Sequence, residues 1–364
     1  MKRRFALSIK LSLTLAAWLL ILNGAAFAGS WSQGSVTNAA GTRNFKLWVP
    51  EGYNKKAAAP LVLMLHGCLQ TPDDFANGAQ MNAVADAHNF LVVYPEQPAT
   101  ANPYKCWNWF DPAHQARGAG EPSLLAAIVA DVRATHKVDP DRVYAVGVSA
   151  GGAMVSIMGA AYPELFNGLG VCAGMEYKAA TNVAGALAAQ KSGGADPNAQ
   201  GTQAYQAMSG AAEATHDKTS RRSAPVVARR RPLRVIVFHG TLDTVVSPVN
   251  GEQVVTQWAQ TNDWLDDARD NNSVDDTADA TTKGTVPNGY NFTRYVYTDA
   301  KGKPLVEKWL VEDMKHAWPG GSTNGSYTDP KAPNASEEIW RFFQQTPGRS
   351  QGSRPQGSTP KRRR

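Results

Sequence analysis

The hydrophobic positions of this chain come mainly in short unbroken runs. Residues 60–65, 90–94, 143–146, 168–173 and 233–238 are each almost wholly apolar. A run of that length with no polar face predicts a strand buried on both sides, as in a parallel sheet covered by helices. Residues 36–49 read as an opening hairpin with its turn at 38–42, and 292–297 and 306–311 as the last strands. Helices are predicted over 81–88, over 123–135 with Ser123 as N-cap, over the small apolar stretch 152–158, and over 337–343. Strands alternating with helices imply one α/β domain with a mostly parallel sheet and helices on both faces. Two segments do not fit. Residues 191–231, rich in Gly, Ala, Ser and Arg, and the acidic residues 263–283 read as surface insertions or mobile loops.

The ends of the chain carry a different composition. Lys2-Arg3-Arg4, an apolar stretch over 11–22 and Ala26-Phe27-Ala28 have the form of a cleavable signal peptide over residues 1–28. The expected mature protein is therefore secreted, extracellular or periplasmic, with no transmembrane anchor after cleavage. The catalytic domain is expected over 29–346, and 347–364 as a disordered basic tail. The net charge of +6 is carried by those ends, and the body between them is mildly acidic. That gives no reason to expect a nucleic-acid partner. A monomer is expected.

The chemistry starts at Gly147-Val148-Ser149-Ala150-Gly151, which lies between a predicted strand and a predicted helix. Strand, G-x-S-x-G and helix form a nucleophile elbow, in which a sharp turn lifts the serine hydroxyl above the sheet. Gly348-Arg349-Ser350-Gln351-Gly352 matches the same pattern but has no strand before it and no apolar helix after it. Ser149 is kept and Ser350 discarded. A serine needs a base, and the base needs an acid that fixes its tautomer. In an elbow fold the chain order is Ser, acid, His. Three histidines follow Ser149: His216 in the polar insertion, His239 at a strand end, and His316 in a late loop after the strand 306–311. His316 leads. Asp243, just after the strand 233–238, leads as the acid over Asp299 and Asp313. The oxyanion hole is expected from the backbone N–H groups of Ala150 and of Cys68, the latter in the loop after the strand 60–65.

Of three cysteines in an exported chain, Cys172 lies in an apolar strand end, while Cys68 and Cys106 lie in loops. A Cys68–Cys106 disulfide is expected, clamping the oxyanion loop. Trp107, Trp109 and Phe110 make a dense aromatic loop, and Trp318 follows close on His316. They read either as an apolar substrate wall or as the cover of a core edge.

Leu65-His66-Gly67-Cys68-Leu69-Gln70, Cys106-Trp107-Asn108-Trp109-Phe110, the Ser149 elbow, Phe238-His239-Gly240 with Asp243, and His316-Ala317-Trp318-Pro319-Gly320-Gly321 together resemble the poly(3-hydroxybutyrate) depolymerase family of esterases, over about 44–343. Members are exported α/β-hydrolases that cut esters of polyhydroxyalkanoates or of acylated plant polysaccharides. The resemblance implies the α/β-hydrolase fold, with Ser149 as nucleophile, Asp243 as acid, His316 as base and the Cys68 amide as oxyanion donor. It implies a polyester or oligoester substrate and no metal or organic cofactor. A feruloyl or acetyl xylan esterase is the nearest rival, and a non-catalytic polymer-binding protein a more distant one. Depolymerases that attack crystalline polymer usually carry a linker and a binding domain after the catalytic one. Only a short basic tail follows Phe343 here, so soluble oligomers, amorphous polymer or a small acyl ester are expected over crystalline solid.

Overall fold

The computed structural model describes residues 29–214 and 231–345. The signal segment, His216, the arginine clusters at 221–222 and 229–230, and Ser350 with the basic tail lie outside the described residues.

Ten strands form one sheet: β1 (Ser30–Asn38), β2 (Gly41–Val49), β3 (Ala59–Leu65), β4 (Leu91–Pro95), β5 (Val138–Val148), β6 (Gly168–Cys172), β7 (Arg234–Gly240), β8 (Ala280–Thr285), β9 (Asn291–Thr298) and β10 (Pro304–Val311). Their spatial order is β1-β2-β4-β3-β5-β6-β7-β10-β9-β8. From β4 to β10 every neighbouring pair is parallel, and antiparallel strands close both edges. Side chains of a strand point alternately to the two faces, and β3 shows the consequence. Leu61, Leu63 and Leu65 pack into the core on one face, while Val62 and Met64 pack into the core on the other. The first face is covered by α3 (Gly120–Thr135), α4 (Ala150–Ala161), α5 (Val183–Ser192), α6 (Pro197–Ala214) and α7 (Val249–Asp267). The second is covered by α1 (Pro72–Ala79), α2 (Met81–His88) and α8 (Ala335–Gln344). None of the described helices is long and apolar enough to cross a membrane.

Several expectations need correction. The opening hairpin begins at Ser30, and only Ala39 and Ala40 form its turn. Helix α3 starts at Gly120, so Ser123 does not cap it; its Oγ donates back to the Gly120 carbonyl at 2.7 Å. Residues 197–214 of the first segment are not a mobile loop, because α6 runs through them and buries Ala204 and Met208. The acidic segment is ordered as well. The buried Asp263 carboxylate accepts the backbone N–H groups of Asn271 (2.9 Å) and Ser273 (2.6 Å), and the chain then enters β8.

Candidate active site

The sharpest feature of the backbone lies where β5 meets α4. Ser149 has φ 57° and ψ −125°, a strained region for a residue with a side chain. The strain is held by close packing on both sides. A Cβ on Gly147 would come within 2.5 Å of the Gly151 carbonyl, and one on Gly151 within 2.1 Å of the Leu65 carbonyl oxygen. Only glycine permits both approaches. The Ser149 N–H donates to the Cys172 carbonyl at 2.9 Å, tying the turn to β6. The Ser149 side chain thus stands beyond the carboxyl end of the central strands, at the start of α4.

The loops after β7 and β10 carry the acid and the imidazole. Those strands are neighbours, and their loops are laced together. Thr241 N–H donates to the Val311 carbonyl (2.9 Å), Leu242 N–H to the Met314 carbonyl (3.0 Å), and Asp313 N–H to Thr241 Oγ1 (2.9 Å). This lacing brings His316 Nδ1 to 2.7 Å from Asp243 Oδ2. The other carboxylate oxygen accepts the N–H groups of Val245 and Val246, each at 2.9 Å. Burial by itself would raise the Asp243 carboxyl. The imidazoles of His239 and His316 and the Val246 N–H outweigh it and hold the group well below the usual carboxylate range. Of the two imidazoles, His316 is the closer. His239 lies 3.5 Å from Asp243, and its Nε2 proton goes to the Val246 carbonyl at 2.8 Å. His239 is therefore committed within the core. Asp299 organises the β9–β10 turn by accepting from Lys301 and Lys303.

The loop after β3 leaves one backbone donor free. Leu69 N–H goes to the Tyr104 carbonyl and Gln70 N–H to the Gly67 carbonyl. Gly67 N–H goes to Gln70 Oε1 at 2.9 Å. Among the described residues the Cys68 N–H has no acceptor. The Ala150 N–H opens α4 and so has no acceptor within its helix. A disulfide joins Cys68 to Cys106, and Cys172 is buried and free.

Two residues without an assigned role in the sequence brace this loop. Gln70 is buried, and its Nε2 donates to Asp74 (3.0 Å) and to the Ser326 carbonyl (2.9 Å), linking the loop to the segment after His316. Glu121 is buried at the base of the disulfide loop. It accepts from Asn108 N–H and from Gln97, which in turn holds the Cys106 carbonyl. The position of Gln70 inside the His66–Gln70 motif is a signal that could have marked it; nothing local marks Glu121.

His66 is buried and accepts the Gln97 N–H at Nε2, so its proton sits on Nδ1, which donates to the Gly67 carbonyl at 2.7 Å. Burial pushes this imidazole down to about 4. The unfolded chain takes up the proton near 6.5 and the native protein only near 4, so the contribution is complete above pH 6.5 and lost as pH falls to 4. The loss expected is about 3 kcal/mol. Urea unfolding across that interval checks this: a His66→Gln variant should show a shallower decline than the wild type, and equal declines would contradict it.

The three tryptophans are not placed as a substrate wall. Trp107 and Trp318 are fully buried and Trp109 almost so. Trp107 donates to the His66 carbonyl at 3.0 Å, and Trp318 meets Phe75 edge-on at 5.3 Å between ring centres. They support the loops from beneath. The apolar surface near the site comes from other residues. Leu69 is exposed on the Cys68 loop and Tyr104 on the Cys106 loop, Leu242 and Val245 flank Asp243, and the Tyr327 ring lies 6.4 Å from His316.

Comparison with known proteins gives the family and the fold. The family described as esterase PHB depolymerase matches residues 43–281. A poly(3-hydroxyalkanoate) depolymerase C of Paucimonas lemoignei is 34% identical over 285 residues, covering 78% of this chain and 60% of the depolymerase. The match thus spans less than two thirds of that relative's length. A feruloyl esterase B of Neurospora crassa is 33% identical over 215 residues, covering 58% of this chain and 68% of the esterase. In structure, an acetyl xylan esterase from Aspergillus awamori superposes with a TM-score of 0.63 at 19% identity, covering 86% of this chain and all of that one. The fold is therefore the α/β-hydrolase fold.

Proposed function

This chain belongs to the PHB depolymerase family of esterases, and on that premise we propose that it is an exported serine esterase acting on aliphatic hydroxyalkanoate esters, polymeric or oligomeric. The observation that carries the reading is the Asp243–His316 hydrogen bond at 2.7 Å beyond the same sheet end as the Ser149 elbow. Asp243 keeps the His316 proton on Nδ1 and leaves Nε2 as the base. Ser149 Oγ attacks the ester carbonyl carbon while its proton passes to His316 Nε2. The oxyanion that forms meets the Cys68 and Ala150 N–H groups. The intermediate collapses, the alkoxide leaves with the proton from His316, and an acyl-Ser149 ester remains. Water then attacks that ester, gives its proton to His316, and the acid departs as Ser149 recovers its own. The Cys68–Cys106 disulfide fits an oxidising compartment outside the cytoplasm.

The exposed Leu69, Leu242 and Val245 favour an aliphatic acyl chain over a sugar-borne one. Turbidity of an amorphous poly(3-hydroxybutyrate) suspension tests the assignment. Clearing by the wild type and not by Ser149→Ala is expected. No clearing, together with release of ferulate or acetate from xylan, would move the substrate to plant polysaccharide esters.

A further inference from the structure

Three buried oxygen atoms beyond β6 meet no donor. Glu176 is buried, and neither carboxylate oxygen accepts a hydrogen bond among the described residues. Gln200, in the first turn of α6, is buried as well. Its Nε2 donates to the Lys178 carbonyl at 3.2 Å, while its Oε1 has no partner. Rotating the amide would only trade one orphan for another, since the Lys178 carbonyl would then face an oxygen. Asp196 stands exposed at the entrance to α6, near enough for its charge to act on Glu176. The link between α5 and α6 passes over the carboxylate: a Cβ on Gly194 would lie 2.8 Å from Glu176 Oε1. The nearby Lys178 ammonium lies over the Tyr177 ring, 5.3 Å from its centre.

Buried acceptors without donors are costly, and in native proteins they call for a bound ion or water. We propose that Glu176, Gln200 and Asp196 form a site for a hard cation of the Ca2+ class, with water completing its shell. The donor set is oxygen throughout, which suits Ca2+ and offers nothing to a metal that prefers nitrogen or sulfur. Mg2+ gives up its water reluctantly and demands stricter geometry. Among the described residues no three His, Cys, Asp or Glu side chains converge on a metal. Two carboxylates and an amide make a site of modest charge, with affinity in the roughly 10⁻⁴–10⁻³ M range of extracellular modules.

Burial first, and then Asp196, pushes the Glu176 carboxyl up to about 9. The bound cation would fasten the α5–α6 link. Helix α5 is in turn held to the loop that follows Asp243, by Ser247 N–H to the Gln190 carbonyl (2.7 Å) and Asn250 Nδ2 to the Ala189 carbonyl (2.9 Å). The site would thereby steady the loop that follows Asp243. This inference stands apart from the ester chemistry.

The test titrates CaCl2 into the EDTA-treated full chain by calorimetry, beside Glu176→Gln and Asp196→Asn. One Ca2+ per chain is expected, and Glu176→Gln should lose about tenfold or more in affinity. Excess CaCl2 should raise the unfolding midpoint of the wild type by about 4 °C and leave that of Glu176→Gln unchanged. No saturable heat and no midpoint shift in the wild type would overturn the site. Equal responses in wild type and Glu176→Gln would overturn it too. If Glu176→Gln does not fold, the exposed Asp196→Asn carries the comparison: weakened binding supports the site, unchanged binding contradicts it.

Discussion

Replacing Ser149 by alanine is expected to lower kcat on a soluble ester by about 10⁶-fold, or about 8 kcal/mol of barrier. The fold should not change, because the strain at φ 57° is set by the packing of Gly147 and Gly151 and not by the hydroxyl. Alanine occupies that conformation at the same cost as serine. The attacking oxygen is gone, so no acyl-enzyme forms, and the imidazole has no proton to accept. Residual catalysis over water, about 10³–10⁴-fold in a comparable hydrolase, comes from the oxyanion donors and binding alone. Steady-state kinetics beside urea unfolding would separate loss of chemistry from loss of fold. A Ser149→Ala protein that is folded and retains a tenth of the activity would refute the assignment of the nucleophile.

Asp243→Asn carries the second largest effect, about 10⁴-fold in kcat. The carboxylate accepts from three N–H groups: Val245 and Val246 on one oxygen, His316 Nδ1 on the other. An asparagine keeps the first oxygen and so keeps the loop. Its amide turns a donor toward His316 Nδ1, which drives the ring proton to Nε2, where it faces Ser149. The base is then in the wrong tautomer and the imidazolium has no counter-charge. The loss should fall on kcat far more than on KM, because no substrate contact is removed. Stopped-flow acylation rates would show it. A fall of less than about tenfold would shift the acid's role to another residue.

The elbow at Ser149 and the strand-end position of Asp243 are legible in the sequence, for a physical reason. An elbow needs small residues at fixed offsets, and a triad on parallel strands needs its acid and base just after strands. Both demands are local in sequence. The five buried strands were legible because a strand covered on both faces leaves no room for polar side chains. Helices α6 and α7 were not. Helix α7 buries Gln257, Thr261, Asn262 and Asp263 along with Val254 and Trp258. Each of the four polar side chains finds partners there; Asn262, for example, bonds both the N–H and the carbonyl of Leu233. A helix that buries satisfied polar groups shows no clean apolar period. The aromatic loop misled for the converse reason. Three aromatics in a loop suggest an open wall, yet long-range packing under the Cys68 loop and against α1 encloses Trp107 and Trp318. The exposed apolar rim of Leu69, Leu242 and Val245 belongs to loops whose sequence carries no period at all.

The central claim is that Ser149 is an activated nucleophile. Its most direct measurement is intact-mass and peptide mass spectrometry of the protein after exposure to an organophosphonate ester. The account expects one adduct per chain, on the peptide that contains Ser149, forming fast in the wild type and much more slowly in Asp243→Asn. No adduct, or an adduct on any other serine of the folded protein, would contradict it.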